Sequence, residues 1–219
     1  GMRQEKRSDE IKNRRKESGN GAGLGRDCAV LCAEPKTAGP DQDIVLSKWI
    51  ALEGTARLAK RHYEKLRERF PRRILDEAAA FDRYLPVEPE AATAMKSGVC
   101  GMHGIFHGGI FAGLWEMAQE AGVGLEADLR KIPVRQETIE ICEVLGENPY
   151  ELPSGGCLIM TAGNGNALVA ALEREGIPAV MIGRTTKGND RVLYNKGHKR
   201  YLDKPRTDRN YKEMEEKTG

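Results

Sequence analysis

Residues 98–122 read GVCGMHGIFHGGIFAGLWEMAQEAG, and their pattern predicts a short strand, a glycine-rich loop and a helix, in that order. The apolar residues after the loop recur at intervals of three or four, which places them on one face of a helix. These residues are Ile110, Phe111, Leu114, Trp115, Ala118 and Ala121. Gly122 follows at the position where a left-handed residue commonly ends a helix. A unit of this kind is typical of an α/β domain.

The start of this helix is the main candidate binding site in the sequence. The first N–H groups of a helix have no partner within it, and they lie at the positive end of its dipole. Gly108 and Gly109 would let a ligand approach that backbone, and His103 and His107 flank them. We therefore predict a small-anion site here. The alternative is an ordinary strand-to-helix connection that binds nothing and carries two polar loop histidines.

Composition narrows the classes of partner. The chain of 219 residues has 35 Lys and Arg against 33 Asp and Glu, a net charge of +2, which argues against nucleic acid as a partner. The basic run at residues 198–206 is interpreted as a solvated surface. No apolar run approaches the ~18 residues that a membrane span requires, so no membrane partner is expected.

The five cysteines show no paired spacing of the kind found in zinc ribbons or disulfide frameworks. With no signal peptide recognised, reduced thiols and a cytoplasmic protein are expected. Cys100, His103 and His107 approach a zinc-ligand spacing but lack a fourth ligand nearby, so no metal site is predicted.

Strand and helix patterns continue on both sides of this stretch. They predict an irregular N-terminal arm over residues 1–42, an α/β domain over 43–204 that borders on α+β, and a charged tail over 205–219. Alternating strands and helices on their own favour βαβ units and a parallel sheet. A turn at residues 187–190 predicts that the strand after it forms a hairpin with the strand before it, which makes the sheet mixed.

One further helix prediction concerns the region before the central stretch. Residues 54–70 carry an apolar stripe at helical spacing, which predicts one long helix ended by Pro71. Glu53, at the head of this helix, is interpreted as a capping or interface residue.

Four separate stretches carry a family resemblance. They are DIVLSKWIALEGTARLA (43–59), GGIFAGLWEMAQEAGVGLEADLRKIPVRQETIEICEVLG (108–146), NPYELPSGGCLIM (148–160) and GIPAVMIGRTT (176–186). In this order and spacing they resemble the C-terminal domain of aminoimidazole-ribonucleotide-synthetase-related (PurM-related) proteins, in particular the hydrogenase-maturation carbamoyl dehydratases. The resemblance implies the fold of that domain, a mixed sheet with flanking helices.

The resemblance also implies what the chain lacks. Members of the family bind ATP and magnesium with an N-terminal domain, while the C-terminal domain helps to hold the second substrate. Residues 23–31, GLGRDCAVL, resemble the opening of that ATP domain, where an acid at the place of Asp27 helps to hold the metal. The rest of the domain has no counterpart, so residues 1–42 are interpreted as its remnant and no cofactor is expected.

The glycine-rich loop departs from the family pattern, which reads His-Asp-x-Thr-Glu-Gly-Gly. Residues 103–109 read HGIFHGG, so the histidine and both glycines remain while the threonine and both carboxylates are absent. Their loss removes acid–base and metal-binding capacity. Where the family tends to read Ser-Ser-Gly, this chain has Ser154, Gly155 and Gly156, and we add Ser154 and Gly156 to the predicted ligand-binding residues.

Three hypotheses for function follow. The chain is a degenerate relative of the ATP-dependent enzymes that keeps a small-molecule or anion site, or a non-catalytic interaction module that pairs with itself or a full-length relative. In the third, His103 and His107 serve a new catalytic purpose, which carboxylate partners of the histidines would support. Because absence of the ATP domain should uncover apolar surface, a homodimer is expected, with residues 21–33 lying against the domain.

Overall fold

A seven-stranded sheet forms the centre of the protein in the computed structural model, which describes residues 38–205. The predicted arm segment at residues 21–33, including Asp27, and all of the tail after Pro205 lie outside the described residues. The strands are β1 (Asp43–Ser47), β2 (Val99–Gly104), β3 (Gly124–Asp128), β4 (Leu158–Ala162), β5 (Ala179–Thr186), β6 (Arg191–Asn195) and β7 (His198–Tyr201). They lie in the order β2-β4-β1-β5-β3-β6-β7.

Helices surround the sheet. They are α1 (Leu52–Arg61), α2 (Tyr63–Arg67), α3 (Arg72–Ala79), α4 (Glu88–Lys96), α5 (Gly109–Ala121), α6 (Gln136–Leu145) and α7 (Gly165–Arg174). Two short 3-10 helices lie at Ala80–Tyr84 and Leu129–Lys131. The predicted fold class, an α/β domain with a mixed sheet and flanking helices, is confirmed.

Strand direction differs from the expectation of a parallel sheet. Only β3 and β6 run parallel among the neighbouring strands of the described region, and the other pairs are antiparallel. The predicted hairpin between β5 and β6 is wrong, because β3 lies between them. Gly183 of β5 permits that close pairing, since a side chain there would collide with the carbonyl oxygen of Glu126. The sheet is therefore mixed for a different reason from the one predicted.

Central strand β1 shows why both faces of the sheet carry helices. Ile44 and Leu46 belong to one apolar cluster, while Val45 between them belongs to another, as the alternation of side chains along a strand requires. Helices α1, α5 and α6 contribute to the first cluster, and α4 and α7 contribute to the second. The second cluster contains no residue of β3, β6 or β7 within the described part of the chain. The clustered apolar side chains of the far half of the sheet thus lie on one face, while Val192 of β6 is buried on the other.

The predicted long helix over residues 54–70 is divided. His62 separates α1 from α2 and has non-helical torsion angles, with φ −108° and ψ 22°. Its N–H still donates to the Leu58 carbonyl, and its own carbonyl accepts from Leu66 N–H. The two helices therefore form one kinked unit rather than two independent ones. Burial and the neighbouring charges of Arg61 and Lys65 lower the pKa of His62.

A buried ion pair fixes the turn that follows β1. The Lys48 ammonium contacts the carboxylate of Glu90 on α4, and it donates to the Tyr84 and Pro86 carbonyls at 2.8 and 2.6 Å. Glu90 is 1% exposed, and its Oε2 has no hydrogen-bond partner within residues 38–205. Lys48 itself holds a left-handed backbone with φ 52°. Lys48 therefore provides the compensation for burying the Glu90 charge, and it ties α4 to the sheet.

We expect Lys48→Met to lower the free energy of unfolding by about 3 to 5 kcal/mol, because it leaves the Glu90 carboxylate buried without a countercharge. Lys60→Met is the matched control, since Lys60 pairs with Asp82 at the surface and such pairs contribute up to about 1 kcal/mol. Urea denaturation of both variants measures the difference. Equal losses would show that the Lys48 pair does not hold the fold.

Candidate functional site

Helix α5 begins and ends where the sequence predicted. Strand β2 ends at Gly104, the helix starts at Gly109, and Gly122 ends it with φ 63°. Gly108 and Gly109 have φ of 77° and 65°, a region that L-residues other than glycine adopt at a cost. No side chain caps the start of α5. The predicted positions of the start and end of the helix are therefore confirmed.

Loop 150–157 closes one side of this helix start. Phe111 N–H donates to the Tyr150 carbonyl at 3.4 Å. A side chain at Gly109 would collide with the same carbonyl and would lie 2.7 Å from the Leu152 carbonyl oxygen. Backbone carbonyls of the chain itself thus meet part of the positive end of the helix. Gly108 and the exposed turn residue His107 directly precede this helix start.

The side of α5 that faces solvent carries an aromatic and cationic stack that the sequence analysis missed. The Phe111 ring stacks on Tyr150 at 5.3 Å with an angle of 6° between the planes. On the Phe111 ring lies the guanidinium of Arg200 from β7, 4.7 Å from the ring centroid. Among residues 38–205, no carboxylate lies within 4.0 Å of this guanidinium. Side chains on a helix lean toward its N-terminus. The Phe111 ring therefore holds the Arg200 guanidinium on the side of α5 nearer its start.

Electrostatics at the stack keep Tyr150 neutral. Burial raises the pKa of the Tyr150 phenol, and the neighbouring Arg200 charge acts in the opposite direction. The hydroxyl donates to the Leu129 carbonyl at 3.4 Å. Arg200 is therefore the positive charge at this face of the helix start, held in place by a neutral aromatic pair.

His103 does not lie with the other predicted site residues. Its Nε2 is 3.4 Å from a Glu116 carboxylate oxygen, and its Nδ1 is 3.5 Å from one of Glu120. Both acids belong to the later turns of α5, and Glu116 lies about 10 Å along the axis from Gly109 at 1.5 Å per residue. Both ring nitrogens of His103 thus face carboxylates, which are the partners that the catalytic hypothesis for the histidines called for, and neither nitrogen is directed at the helix start.

Ser154 is buried and has an internal role. Its hydroxyl oxygen accepts from Ala51 N–H at 2.8 Å, and the hydroxyl donates to the Leu152 carbonyl at 2.9 Å. Ala51 has φ 61° and immediately precedes α1, so this bond supports a strained turn at the start of that helix. The Ser154 hydroxyl therefore fixes loop 150–157 to α1.

Two neighbouring glycines complete the attachment of this loop. A side chain at Gly156, which has φ 95°, would lie 2.6 Å from the Tyr84 carbonyl oxygen. Gly155 N–H donates to Glu53 Oε2 at 3.3 Å. Glu53 at the head of α1 thus makes the interface contact that its position suggested. Ser154 and Gly156 lie behind the helix start and position the loop that closes it.

The cysteine beside this loop is an unreactive thiol. Burial raises the pKa of Cys157 to about 12, with Lys48 lowering it and Glu90 raising it further. The Cys157 Sγ donates to the Ser154 carbonyl at 3.1 Å. Within residues 38–205, no group of three or more His, Cys, Asp or Glu side chains is arranged to hold a metal ion. None of the helices in that region is long and apolar enough to cross a membrane.

Comparison with known proteins gives a family match over most of the chain. The model of the family described as "AIR synthase related protein, C-terminal domain" matches residues 39–195. The carbamoyl dehydratase HypE of Rhodobacter capsulatus is 35% identical over 95 residues, which cover 42% of this chain and 28% of that protein. HypE of Rhizobium leguminosarum bv. viciae is 28% identical over 166 residues, covering 74% and 45%. The chain therefore spans less than half the length of these curated relatives.

Solved structures support the same fold. The crystal structure of Escherichia coli HypE, a hydrogenase maturation protein, matches with a TM-score of 0.64 and 23% identity over 80% of this chain and 53% of that one. HypE in the HypE–HypF complex gives 0.63 and 22%, with 78% and 55% covered. Thiamine-monophosphate kinase of Stenotrophomonas maltophilia gives 0.55 and 18%, with 75% and 53% covered. At these identities the likeness shows a shared fold.

We expect Gly109→Ala to destabilise the protein more than Gly122→Ala. Both residues have positive φ, so each substitution costs roughly 1 to 2 kcal/mol of backbone strain. Only at Gly109 does the new methyl group collide with the loop carbonyls, because nothing lies within 4 Å of a side chain at Gly122. The collision should add about 1 to 3 kcal/mol. Thermal unfolding compares the two variants, and equal destabilisation would mean that loop 150–157 does not press on the helix start.

Proposed function

The chain belongs to the AIR synthase related protein family through that family's C-terminal domain, and we propose that it binds a small anion at the start of α5 without carrying out ATP-dependent catalysis by itself. The observation that carries this proposal is Arg200. Its guanidinium is stacked on Phe111 in the first turn of α5, and among the described residues it has no carboxylate within 4.0 Å. A fixed cation beside an uncapped helix start is suited to bind phosphate or carboxylate.

The proposed site divides the predicted residues by role. Gly108 and Gly109 present the backbone of the helix start, and His107 lies in the adjoining turn. Arg200 supplies the fixed charge. Ser154 and Gly156 act from behind, by holding loop 150–157 against the helix. His103 contributes to the surface of α5 through Glu116 and Glu120 rather than to the anion.

The composition of the loop supports binding without catalysis. Where the family pattern has Asp, Thr and Glu, this chain has Gly104, Phe106 and His107. Neither carboxylate is present to transfer a proton or to hold a metal there. HypE relatives carry the name carbamoyl dehydratase, and the chain spans less than half their length. Dehydratase activity is therefore not assigned to this domain alone.

The second candidate function is an interaction module that pairs with itself or with a full-length relative. Strand β2 supports it, because β2 lies at one edge of the sheet and pairs only with β4 among the described strands. Strand β2 contains no Lys, Arg, Asp or Glu, so repulsion between such charges does not oppose pairing between copies there. A solved HypE relative is itself found in a complex with HypF. Free thiols at the three described cysteines are consistent with the cytoplasmic location proposed for such a module.

We expect inorganic phosphate at ten times its dissociation constant to raise the melting temperature by about 3 to 6 °C. Arg200→Gln should abolish most of this shift because it removes the fixed charge. Arg174→Gln on α7 is the control of equal charge change and should leave the shift intact. Magnesium–ATP should give no larger shift than phosphate. A melting-temperature shift that is absent in the parent protein, or equal in the two variants, contradicts the anion site. Calorimetric binding of magnesium–ATP at micromolar affinity contradicts the proposal that the chain has no ATP-dependent activity by itself.

The interaction candidate has its own measurement. If residues 21–33 cover the domain or its partner, the full chain sediments as a dimer and deletion of residues 2–33 weakens that dimer at least tenfold. Deletion of residues 207–219 is the control and should leave it unchanged. Analytical ultracentrifugation over a concentration series reads both outcomes, and a monomer in every case rules out the module that pairs with itself.

A further inference from the structure

The edge of the sheet opposite β2 is formed by β7, the last strand of the described chain. A two-residue turn at Lys196 and Gly197, with φ of 49° and 81°, joins it to β6 in the geometry that favours a tight hairpin. Strand β7 pairs with β6 alone, so the backbone groups on its outer side have no strand partner among the described residues. All four residues of β7 are exposed.

The charges of this edge are unusual for the protein. Neither Lys199 nor Arg200 has a carboxylate within 4.0 Å among residues 38–205. Elsewhere on the same sheet, Arg184 pairs with Asp43 across neighbouring strands. The Lys199 ammonium instead lies 5.0 Å from the ring centroid of Tyr201, which is 59% exposed. The edge therefore presents cations and an aromatic ring with no acidic partner.

The strand register places these side chains on known faces. Arg200 is opposite Leu193, and Leu193 belongs to the apolar cluster that includes α5, so Arg200 points to the α5 side. Lys199 and Tyr201 point to the other face. The second apolar cluster has no residue of β3, β6 or β7, although Val192, opposite Tyr201 on this face, is buried. Lys199 and Tyr201 are themselves exposed, and they lie on the face opposite the proposed anion site.

We propose that the outer edge of β7 binds an acidic, extended segment of a partner protein, which joins the sheet as an eighth strand. The edge backbone supplies the hydrogen bonds of strand addition, and the side chains supply the specificity. Acidic residues of the segment lie opposite Lys199 and Arg200, and an apolar residue lies beside Tyr201. The complementary charge is what selects this partner from other extended segments.

A second copy of the chain does not suit this edge. Antiparallel pairing of two β7 strands sets either Arg200 opposite Arg200 or Lys199 opposite Lys199, and like charges directly opposite each other are unfavourable. Lysines on edge strands oppose self-association in general. An acidic strand removes that repulsion while using the same backbone groups. The partner is therefore a different chain, and homodimer formation would have to use another surface.

The experiment is a titration of the full, ¹⁵N-labelled chain with the blocked peptide Thr-Val-Glu-Glu-Thr-Val, followed by NMR. In antiparallel alignment this peptide sets valine beside Tyr201 and glutamates opposite Arg200 and Lys199. Saturable amide shifts centred on residues 198–201 are expected. A peptide with proline in place of the first valine keeps both glutamates and should bind at least fivefold more weakly, because it lacks the N–H that would donate to the Tyr201 carbonyl on the outer side of β7. A peptide with lysine in place of both glutamates should not bind.

Variants separate this edge from general electrostatics. Lys199→Glu should weaken binding about five- to tenfold, whereas Lys65→Glu on α2 makes the same charge change away from the edge and should have no effect. Tyr201→Ser should weaken binding without any change in charge. Phosphate should still stabilise the Lys199→Glu protein, because the two sites share Arg200 but Lys199 belongs to the edge alone. No binding, shifts centred elsewhere, equal binding of the proline peptide, or equal effects of the two charge reversals overturns the proposal.

Discussion

The structure depends on one loop that supplies backbone partners to the starts of two helices. In residues 150–157, the Pro153 carbonyl accepts from Gly54 N–H at 2.9 Å in α1, and the Tyr150 carbonyl accepts from Phe111 N–H in α5. Helix starts present N–H groups that the helix itself cannot satisfy, so these carbonyls stabilise both ends at once. Because the contacts are made by backbone, glycine is required at residues 54 and 109 to allow the approach. The position of each helix on the sheet follows from the path of this loop.

This arrangement changes how the glycine-rich junction is understood. A glycine at a helix start can allow a ligand to approach the backbone. At Gly109 the groups that approach are the carbonyls of Tyr150 and Leu152. The anion site proposed there depends on Arg200 of β7, which stacks on the ring of Phe111. Two separate parts of the chain thus meet at the helix start. Loop 150–157 contributes backbone carbonyls, and β7 contributes the Arg200 guanidinium.

Local features of the fold could be predicted from the sequence, and long-range ones could not. The start and the end of α5 follow from glycine positions, and Ile110, Leu114 and Ala118 of its buried face follow from the apolar period, both of which are local. The same period placed Phe111 and Trp115 on that face, but they are only partly buried. The direction of the strands cannot be predicted in this way, because a buried strand has the same composition whichever way it runs. The position of β3 between β5 and β6 likewise has no signal in the neighbouring sequence. Arg200 was missed for a related reason. It lies in a basic run that resembles a solvated surface, and only the β6–β7 turn brings it to Phe111.

The turn at Lys48 has a consequence for how this sequence can change over time. Lys48 has a left-handed backbone conformation that glycine would adopt with less strain, but its ammonium compensates the buried charge of Glu90. A change to glycine at residue 48 would relieve the backbone strain but leave the Glu90 carboxylate buried without a countercharge. A change at residue 90 alone would leave the Lys48 ammonium with only the Tyr84 and Pro86 carbonyls as partners. A substitution at either position alone is therefore expected to lower the stability of the protein. Residues 48 and 90 are therefore expected to covary among relatives, either as a lysine with an acid or as a glycine with an uncharged residue.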